Sequence, residues 1–150
     1  LASEAAEPAG VGVVGRGVVS GECDIAVSNT YYFARAIRTD VEGVSASRDK
    51  IGWVFPDQDG NGAHMNLSGG GVAAHAPNRD NAIKFMEYLA SDKAQEYFSA
   101  GNDEYPTVPG VTLSASVEVL GSFTPDSVDL TTVAQNLPAA QRIFNAVGWE

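Results

Sequence analysis

The sequence predicts an α/β fold, in which short apolar strands alternate with amphipathic helices. Two observations point to this class. Short apolar runs such as Cys23–Ser28 and Ile51–Phe55 end at turn-forming residues, and longer segments with helical spacing of apolar residues follow them. Hydrophobic residues make up 44% of the 150 residues and charged residues 19%, a balance that is typical of a folded chain with its own core.

The first predicted helix, Thr30–Arg38, follows the strand Cys23–Ser28. Asn29 stands between them and is a favourable N-cap residue. Arg35 and Arg38 lie in the last turns of this helix, where positive charge suits the helix dipole. Further strands are predicted at Ile51–Phe55, His64–Leu67 and Gly71–Ala74.

A second helix is predicted after Asn78 or Asp80, either of which can cap it. Its apolar residues recur at helical spacing and are expected to be core rather than part of a cofactor site. They are Ala82, Ile83, Met86, Leu89 and Ala90.

Two more helices complete the prediction. Ser91 caps a short helix, Asp92–Ala100, which ends at Gly101. Residues 102–128 are rich in proline and glycine and predict loops. The last helix is expected to run from Pro138, a favoured first-turn residue, to Val147.

Charge and composition exclude several function classes. The formal net charge of −10 argues against nucleic acid as a partner and against an anionic membrane surface. The single cysteine, Cys23, cannot form an internal disulfide and is expected to be a small buried side chain. No stretch has the length of a membrane span, and no signal peptide is expected at the start of this sequence.

Three familiar site motifs are incomplete. His64 and His75 are too far apart for a zinc motif, and each is expected to be structural. Ser68 lacks the glycine that a hydrolase nucleophile elbow needs two residues earlier. The segment Asp57–Gly62 resembles the start of a calcium loop but lacks its closing glutamate, so a turn rich in Asp and Asn is expected instead.

The unusual local feature is the pair Tyr31–Tyr32 in the first helical turn. At a helix start both hydroxyls can turn toward one point, which also faces free backbone N–H groups that favour an anion. Ferric iron is a small, hard cation that prefers anionic oxygen ligands, and a bound metal lowers the pKa of the groups that ligate it. From the pair alone, two amphipathic side chains with their hydroxyls in water remain an open alternative.

Four segments resemble, in order, the bacterial periplasmic ferric-iron-binding proteins of ABC importers. The segment Gly21–Tyr32 is similar to their twin-tyrosine segment, and the three further matches are His64–Val72, Asn81–Gln95 and Asn102–Pro106. Together these segments cover most of residues 21–110. The resemblance implies part of a two-lobed, type II periplasmic-binding-protein fold.

The resemblance also implies a function and a site. Tyr31 and Tyr32 would ligate Fe3+, and Asn29 would contact a synergistic anion such as carbonate or phosphate. The protein would be periplasmic, would deliver iron to an ABC permease in the inner membrane, and would not be an enzyme. The remaining iron ligands would come from an N-terminal half that this sequence does not contain.

The resemblance further predicts how the chain divides. Residues 1–20 match the family poorly and are expected to be a flexible or non-native segment. Residues 21–58 would belong to the second lobe, and residues 59–150 to a cross-over strand and the first lobe. Apolar faces would need cover from the N-terminal half or from a second copy of the chain in a homodimer. Two other hypotheses stay open: a binding protein for an anion or small polar organic solute, and a self-associating fragment without a ligand.

Overall fold

A computed structural model describes residues 17–40 and 44–148 of the chain. The described residues fall into two compact units. The first unit contains residues 54–65 and 123–148, and the second contains the described residues of 17–53 together with 66–122. The predicted lobes, 21–58 and 59–150, do not coincide with these units, and the assignment to lobes stays a prediction. Residues 1–16 of the predicted flexible or non-native segment lie outside the described residues.

Helices dominate the described residues. They are α1 (Thr30–Thr39), α2 (Arg79–Leu89), α3 (Asp92–Asn102), α4 (Ala115–Glu118) and α5 (Leu130–Val147), with a 3-10 helix at Ser45–Lys50 and helical residues at 17–20. Within the described ranges, no helix combines the length and the apolar character needed to cross a membrane.

The second unit is built around α1. Asn29, with extended backbone angles, precedes this helix, and Asp40 ends it in the left-handed conformation with φ 48°. The helix packs against the 3-10 helix and against α4. Small side chains make these close contacts possible, since Ala34 and Ala36 are buried in α1 and Val117 is buried in α4. The predicted helix at Thr30–Arg38 is therefore confirmed.

Helices α2 and α3 pack against each other in the same unit. The Ser91 hydroxyl accepts a hydrogen bond from the Ala94 backbone N–H and caps α3, as predicted. The helix continues through Gly101 and ends at Asp103 in the left-handed conformation. The predicted core stripe on α2 is wrong, because its side chains are half-buried or exposed, with Ile83 at 38%.

The first unit contains α5, which begins at Leu130 rather than at the predicted Pro138. The Asp129 carboxylate accepts hydrogen bonds from the backbone N–H groups of Thr131 (2.8 Å) and Thr132 (3.3 Å) and so starts the helix early. The helix then continues through Pro138, which has no backbone N–H and therefore cannot donate a hydrogen bond within the helix.

The predicted strands do not form ladders among the described residues. The pairing present there is an isolated parallel bridge between Ala63 and Pro125 in the first unit. Side chains of the expected buried strand Cys23–Ser28 are exposed, with Ile25 at 86% and Val27 at 89%, and Cys23 is half-buried. No neighbouring strand within the described residues covers this segment, so its alternation of apolar residues does not produce a sheet.

Candidate functional site

Tyr31 and Tyr32 occupy the first turn of α1 and lie side by side. Their ring centroids are 4.4 Å apart and the ring planes are tilted by 51°. Both side chains are half-buried, and the Tyr31 hydroxyl interacts with the Tyr32 side chain. Adjacent residues in the middle of a helix would diverge by about 100°. The looser geometry of the helix start therefore allows the two hydroxyls to converge, as expected from the sequence.

Asn29 belongs to the same group. Its side-chain Nδ2 donates a hydrogen bond of 3.2 Å to the Tyr31 hydroxyl. Among the described residues, the Asn29 side chain caps no backbone N–H of α1, although it occupies the N-cap position. The amide is therefore directed to the tyrosine pair instead of to the helix backbone. The structure thus brings together all three site residues that the sequence predicts.

The ionisation of Tyr31 reflects these neighbours. Its hydrogen bond with Tyr32, partial burial and the Tyr32 charge raise the pKa of the Tyr31 hydroxyl above its ordinary value. The Asn29 hydrogen bond acts in the opposite direction, and the Glu104 carboxylate adds a further electrostatic contribution that raises this pKa. Tyr31 is therefore a neutral phenol near pH 7 and would have to lose a proton to ligate a metal.

The other end of α1 is fixed by an ion pair with Asp103. Arg38 donates two hydrogen bonds of 2.8 Å, one from Nε and one from Nη2, to the two carboxylate oxygens of Asp103. Arg35 Nε lies 3.6 Å from the same carboxylate, and its Nη2 donates to the Asn102 carbonyl at 3.4 Å. We call Arg35, Arg38, Asp103 and Ser116 the Asp103 cluster.

Asp103 is fully buried, with 0% of its surface exposed. Burial raises the pKa of Asp103, but hydrogen bonds from Arg38 and Ser116 outweigh that effect and hold the pKa below its ordinary value. The Ser116 hydroxyl donates at 2.7 Å from the start of α4. A charged carboxylate therefore joins α1, the end of α3 and α4 at one point.

Within the described residues, no group of three or more His, Cys, Asp or Glu side chains lies close enough to hold a metal ion. The side chains of His64 and His75 are both exposed. The expectation that each histidine is structural stays a prediction. Phenol oxygens remain the hard donors that the tyrosine site offers, and they suit a trivalent cation better than a soft one.

The Asp103 cluster and the electrostatic effect of Glu104 on Tyr31 were not predicted from the sequence. A signal was present, since Arg35 and Arg38 follow Tyr31 by four and seven residues and so share its helix face. Their acidic partner could not be inferred, because Asp103 is 65 residues from Arg38 along the chain.

Comparison with known proteins places the chain in a family. The family model described as bacterial extracellular solute-binding protein matches residues 16–125, and the chain belongs to that family. This membership and the relatives described below confirm the predicted periplasmic location.

Two relatives illustrate the likeness in sequence. Iron uptake protein A1 of Synechocystis sp. is 41% identical over 133 residues, which cover 89% of this chain and 37% of the relative. The major ferric iron-binding protein of Neisseria meningitidis serogroup A is 30% identical over 129 residues, which cover 86% and 38%. The chain therefore spans about two fifths of the length of these relatives, and the resemblance to ferric-iron-binding proteins is confirmed.

Solved structures give the same picture. FutA (IdiA) from Trichodesmium, in complex with iron and citrate ligands, is similar with a TM-score of 0.83 and 43% identity, covering 91% of this chain and 43% of that protein. The Bordetella ferric binding protein has a TM-score of 0.81 and 36% identity, covering 93% and 45%. These likenesses confirm the predicted α/β class, as part of a type II periplasmic-binding-protein fold. Neither they nor the described residues support the expected homodimer or N-terminal partner.

Proposed function

We propose that the chain binds ferric iron through the hydroxyls of Tyr31 and Tyr32 and serves an ABC-type iron importer as its extracytoplasmic binding component. The observation that carries this proposal is the side-by-side placement of two phenol rings at the start of α1, with the Asn29 amide bonded to one of their hydroxyls. Three similar proteins named for iron uptake or ferric iron binding, and a fourth whose structure holds iron and citrate, support the choice of metal.

The chemistry of the pair favours a trivalent ion. A phenol with a raised pKa is a poor ligand until its proton leaves, so the bound cation must stabilise the phenolate strongly. A hard Fe3+ ion does this by direct coordination to anionic oxygen, whereas softer metals prefer nitrogen or sulfur. Two phenolates supply two negative charges, and a small anion would supply further charge and further oxygen ligands.

We propose Asn29 and the first turn of α1 as the place of that anion. The Asn29 amide already donates to the Tyr31 hydroxyl at 3.2 Å, and backbone N–H groups at a helix start favour negative charge. Carbonate, phosphate or a carboxylate such as citrate would meet these donors. The site holds and releases its cargo without changing a covalent bond of it, so the protein is a binding protein rather than an enzyme, with an inner-membrane permease as its partner.

The test is a titration of the purified chain with chelated ferric iron, followed by visible absorption. The parent should develop a phenolate-to-iron charge-transfer band. Tyr31→Phe and Tyr32→Phe should each weaken the band and the affinity, because each removes one anionic ligand. Tyr88→Phe is the matched control, since this exposed tyrosine lies on a different helix, α2.

Three results would contradict the proposal: no band in the parent, a band that survives both substitutions, or equal weakening by Tyr88→Phe. Thermal stabilisation of the parent by phosphate or citrate without iron, together with no band, would instead favour the alternative of an anion-binding protein.

A further inference from the structure

The helix face that carries Tyr31 also carries Arg35 and Arg38. Residues four and seven positions after Tyr31 lie about 40° and 20° from it around the helix. Both arginines reach the carboxylate of Asp103, Arg38 with two hydrogen bonds of 2.8 Å and Arg35 at 3.6 Å. Any rotation of α1 about its axis would therefore move the Tyr31 ring and stretch these contacts at the same time.

We propose that Asp103 is a positioning residue for the tyrosine pair: its carboxylate fixes the rotation of α1 and so sets the point where the Tyr31 and Tyr32 hydroxyls meet. The inference rests on the proposed function of that pair in metal binding. Asp103 itself touches neither tyrosine among the hydrogen bonds and ring contacts of the described residues, and acts through Arg38 and Arg35.

Asp103 is suited to this role because it cannot move independently. It is fully buried and adopts the left-handed conformation, φ 62°, at the end of α3. Ser116 donates to one of its oxygens at 2.7 Å, and the Ser114 hydroxyl lies 3.1 Å from Ser116 and donates to the Ser99 carbonyl at 2.8 Å. This chain of buried and part-buried hydrogen bonds ties the carboxylate to α3 and α4.

The other contacts of α1 are less directional. Phe33 stacks on Trp53 with ring centroids 5.2 Å apart, and Ala34 and Ala36 are buried. Apolar burial depends on area and tolerates small rotations. A bidentate arginine–carboxylate pair fixes both direction and distance. The Asp103 cluster therefore supplies the angular constraint that the apolar contacts lack.

A small rotation is enough to matter for a metal site. Side-chain ends lie about 5–6 Å from a helix axis, so a 20° rotation displaces them by roughly 2 Å. Metal–ligand distances are held within about 0.2 Å. The chain also runs directly from Asp103 to Glu104, whose carboxylate acts electrostatically on the Tyr31 hydroxyl. A shift at Asp103 would thus act on the tyrosine pair in two ways, through the rotation of α1 and through the position of the Glu104 carboxylate.

The experiment compares Asp103→Asn and Arg38→Lys with the control Gln95→Leu. Gln95 is buried in the same unit and bonds Leu89 and Thr107, so its loss destabilises the unit without removing a hydrogen bond to α1. Two properties are measured on samples that are folded to the same extent. They are the nuclear Overhauser effects between the Tyr31 and Tyr32 rings of the iron-free chain, and the affinity for ferric iron supplied as its citrate chelate.

Asp103→Asn should weaken the inter-ring effects and lower iron affinity by roughly 10–100-fold, the usual consequence of losing a group that orients metal ligands. Arg38→Lys keeps the charge but loses the bidentate fork, and should show the same changes to a smaller degree. Gln95→Leu should keep both properties. If Asp103→Asn does not fold, the inter-ring effects and the iron affinity of Arg38→Lys alone test the positioning role.

Parent-like inter-ring effects and parent-like iron affinity in the folded variants would overturn the positioning role. Equal losses in Gln95→Leu would also overturn it, because they would show a general effect of destabilisation. Failure of the proposed function would give a different result. The parent would then bind no iron, but the nuclear Overhauser effects between the Tyr31 and Tyr32 rings would still weaken in Asp103→Asn.

Discussion

Replacing Asp103 by asparagine should destabilise the chain by about 2–3 kcal/mol at pH 7. Removing one partner of a fully buried ion pair costs about 3–5 kcal/mol. The cost here is smaller because the Arg38 side chain is 40% exposed and can recover contact with water. Asparagine keeps one acceptor oxygen, but its NH2 group faces a guanidinium that also donates, so one of the two 2.8 Å hydrogen bonds is lost.

The pH dependence of this loss follows from the lowered pKa of Asp103. The carboxylate contributes stability that is fully present above its unfolded pKa of about 3.9 and is lost as the pH falls through the lower, folded pKa. The difference between parent and variant should therefore be constant from pH 7 to about pH 5. It should shrink below about pH 4.

Urea unfolding followed by circular dichroism measures the effect at each pH. With a denaturant slope of about 1–3 kcal/mol/M, the midpoint at pH 7 should fall by roughly 0.7–3 M. Asp49→Asn, at an exposed position on the 3-10 helix of the same unit, is the control and should leave the midpoint unchanged. An Asp103→Asn midpoint equal to that of the parent, or a difference that persists unchanged at pH 3, would refute the reasoning.

Three further predictions concern other parts of the molecule. Gly62 has φ 96°, and an added Cβ would lie 2.6 Å from the Thr124 carbonyl oxygen, so Gly62→Ala should lower the free energy of unfolding by at least about 1–3 kcal/mol. Urea unfolding measures this change. Gly69→Ala is the control, because a Cβ at Gly69 would have no atom within 4 Å. Asp129→Ala should shorten α5 and lower the helicity measured by circular dichroism. Hydrogen bonds from Thr132 and Thr131 lower the pKa of Asp129 to about 2, so the difference in helicity between parent and variant should vanish as the pH falls from 4 through 2. Unchanged helicity of the variant at pH 7 would contradict the capping role of Asp129. Binding of each iron ion should release roughly two protons, one from each phenol, and one proton fewer in Tyr31→Phe. An indicator dye in weak buffer measures this release. Equal proton release by the parent and by Tyr31→Phe would exclude Tyr31 as a ligand.

Local signals in the sequence predicted the geometry of the tyrosine pair. Asn29 before a helical run correctly predicts where α1 begins, and the position of Tyr31 and Tyr32 in its first turn explains why their hydroxyls can meet. The Ser91 cap of α3 is likewise a short-range feature, formed with a backbone N–H three residues ahead. Such features depend on neighbours within one helical turn and so can be inferred from residue order.

Competing local signals explain the errors in the helices. Pro138 is a common first-turn residue, but Asp129 offers a stronger start because its carboxylate accepts from Thr131 and Thr132. The segment 102–128 contains turn residues throughout, yet α4 forms inside it at Ala115–Glu118. Its Ser116 and Val117 are buried, so the contacts of α4 with α1 and α3, rather than local propensity, stabilise this short helix.

Long-range contacts could not be predicted from one sequence. The bonds between Arg38 and Asp103 join residues 65 positions apart, and Gln58 bonds Thr124 across 66 positions. The apolar pattern of Cys23–Ser28 did not suffice to predict a strand, because a sheet also depends on long-range contacts. A strand needs a partner strand, and the described residues provide none beside this segment. Ile25 and Val27 consequently remain exposed.

The central claim is that the phenol oxygens of Tyr31 and Tyr32 ligate the iron. Resonance Raman spectroscopy of the iron-loaded chain, excited in its visible band, tests it most directly, with tyrosine supplied in ring-deuterated and ordinary form. We predict enhanced tyrosinate ring vibrations that shift on deuteration, weaken in Tyr31→Phe and in Tyr32→Phe, and disappear in the double variant. Iron bound without these vibrations, or vibrations that survive in the double variant, would contradict the claim.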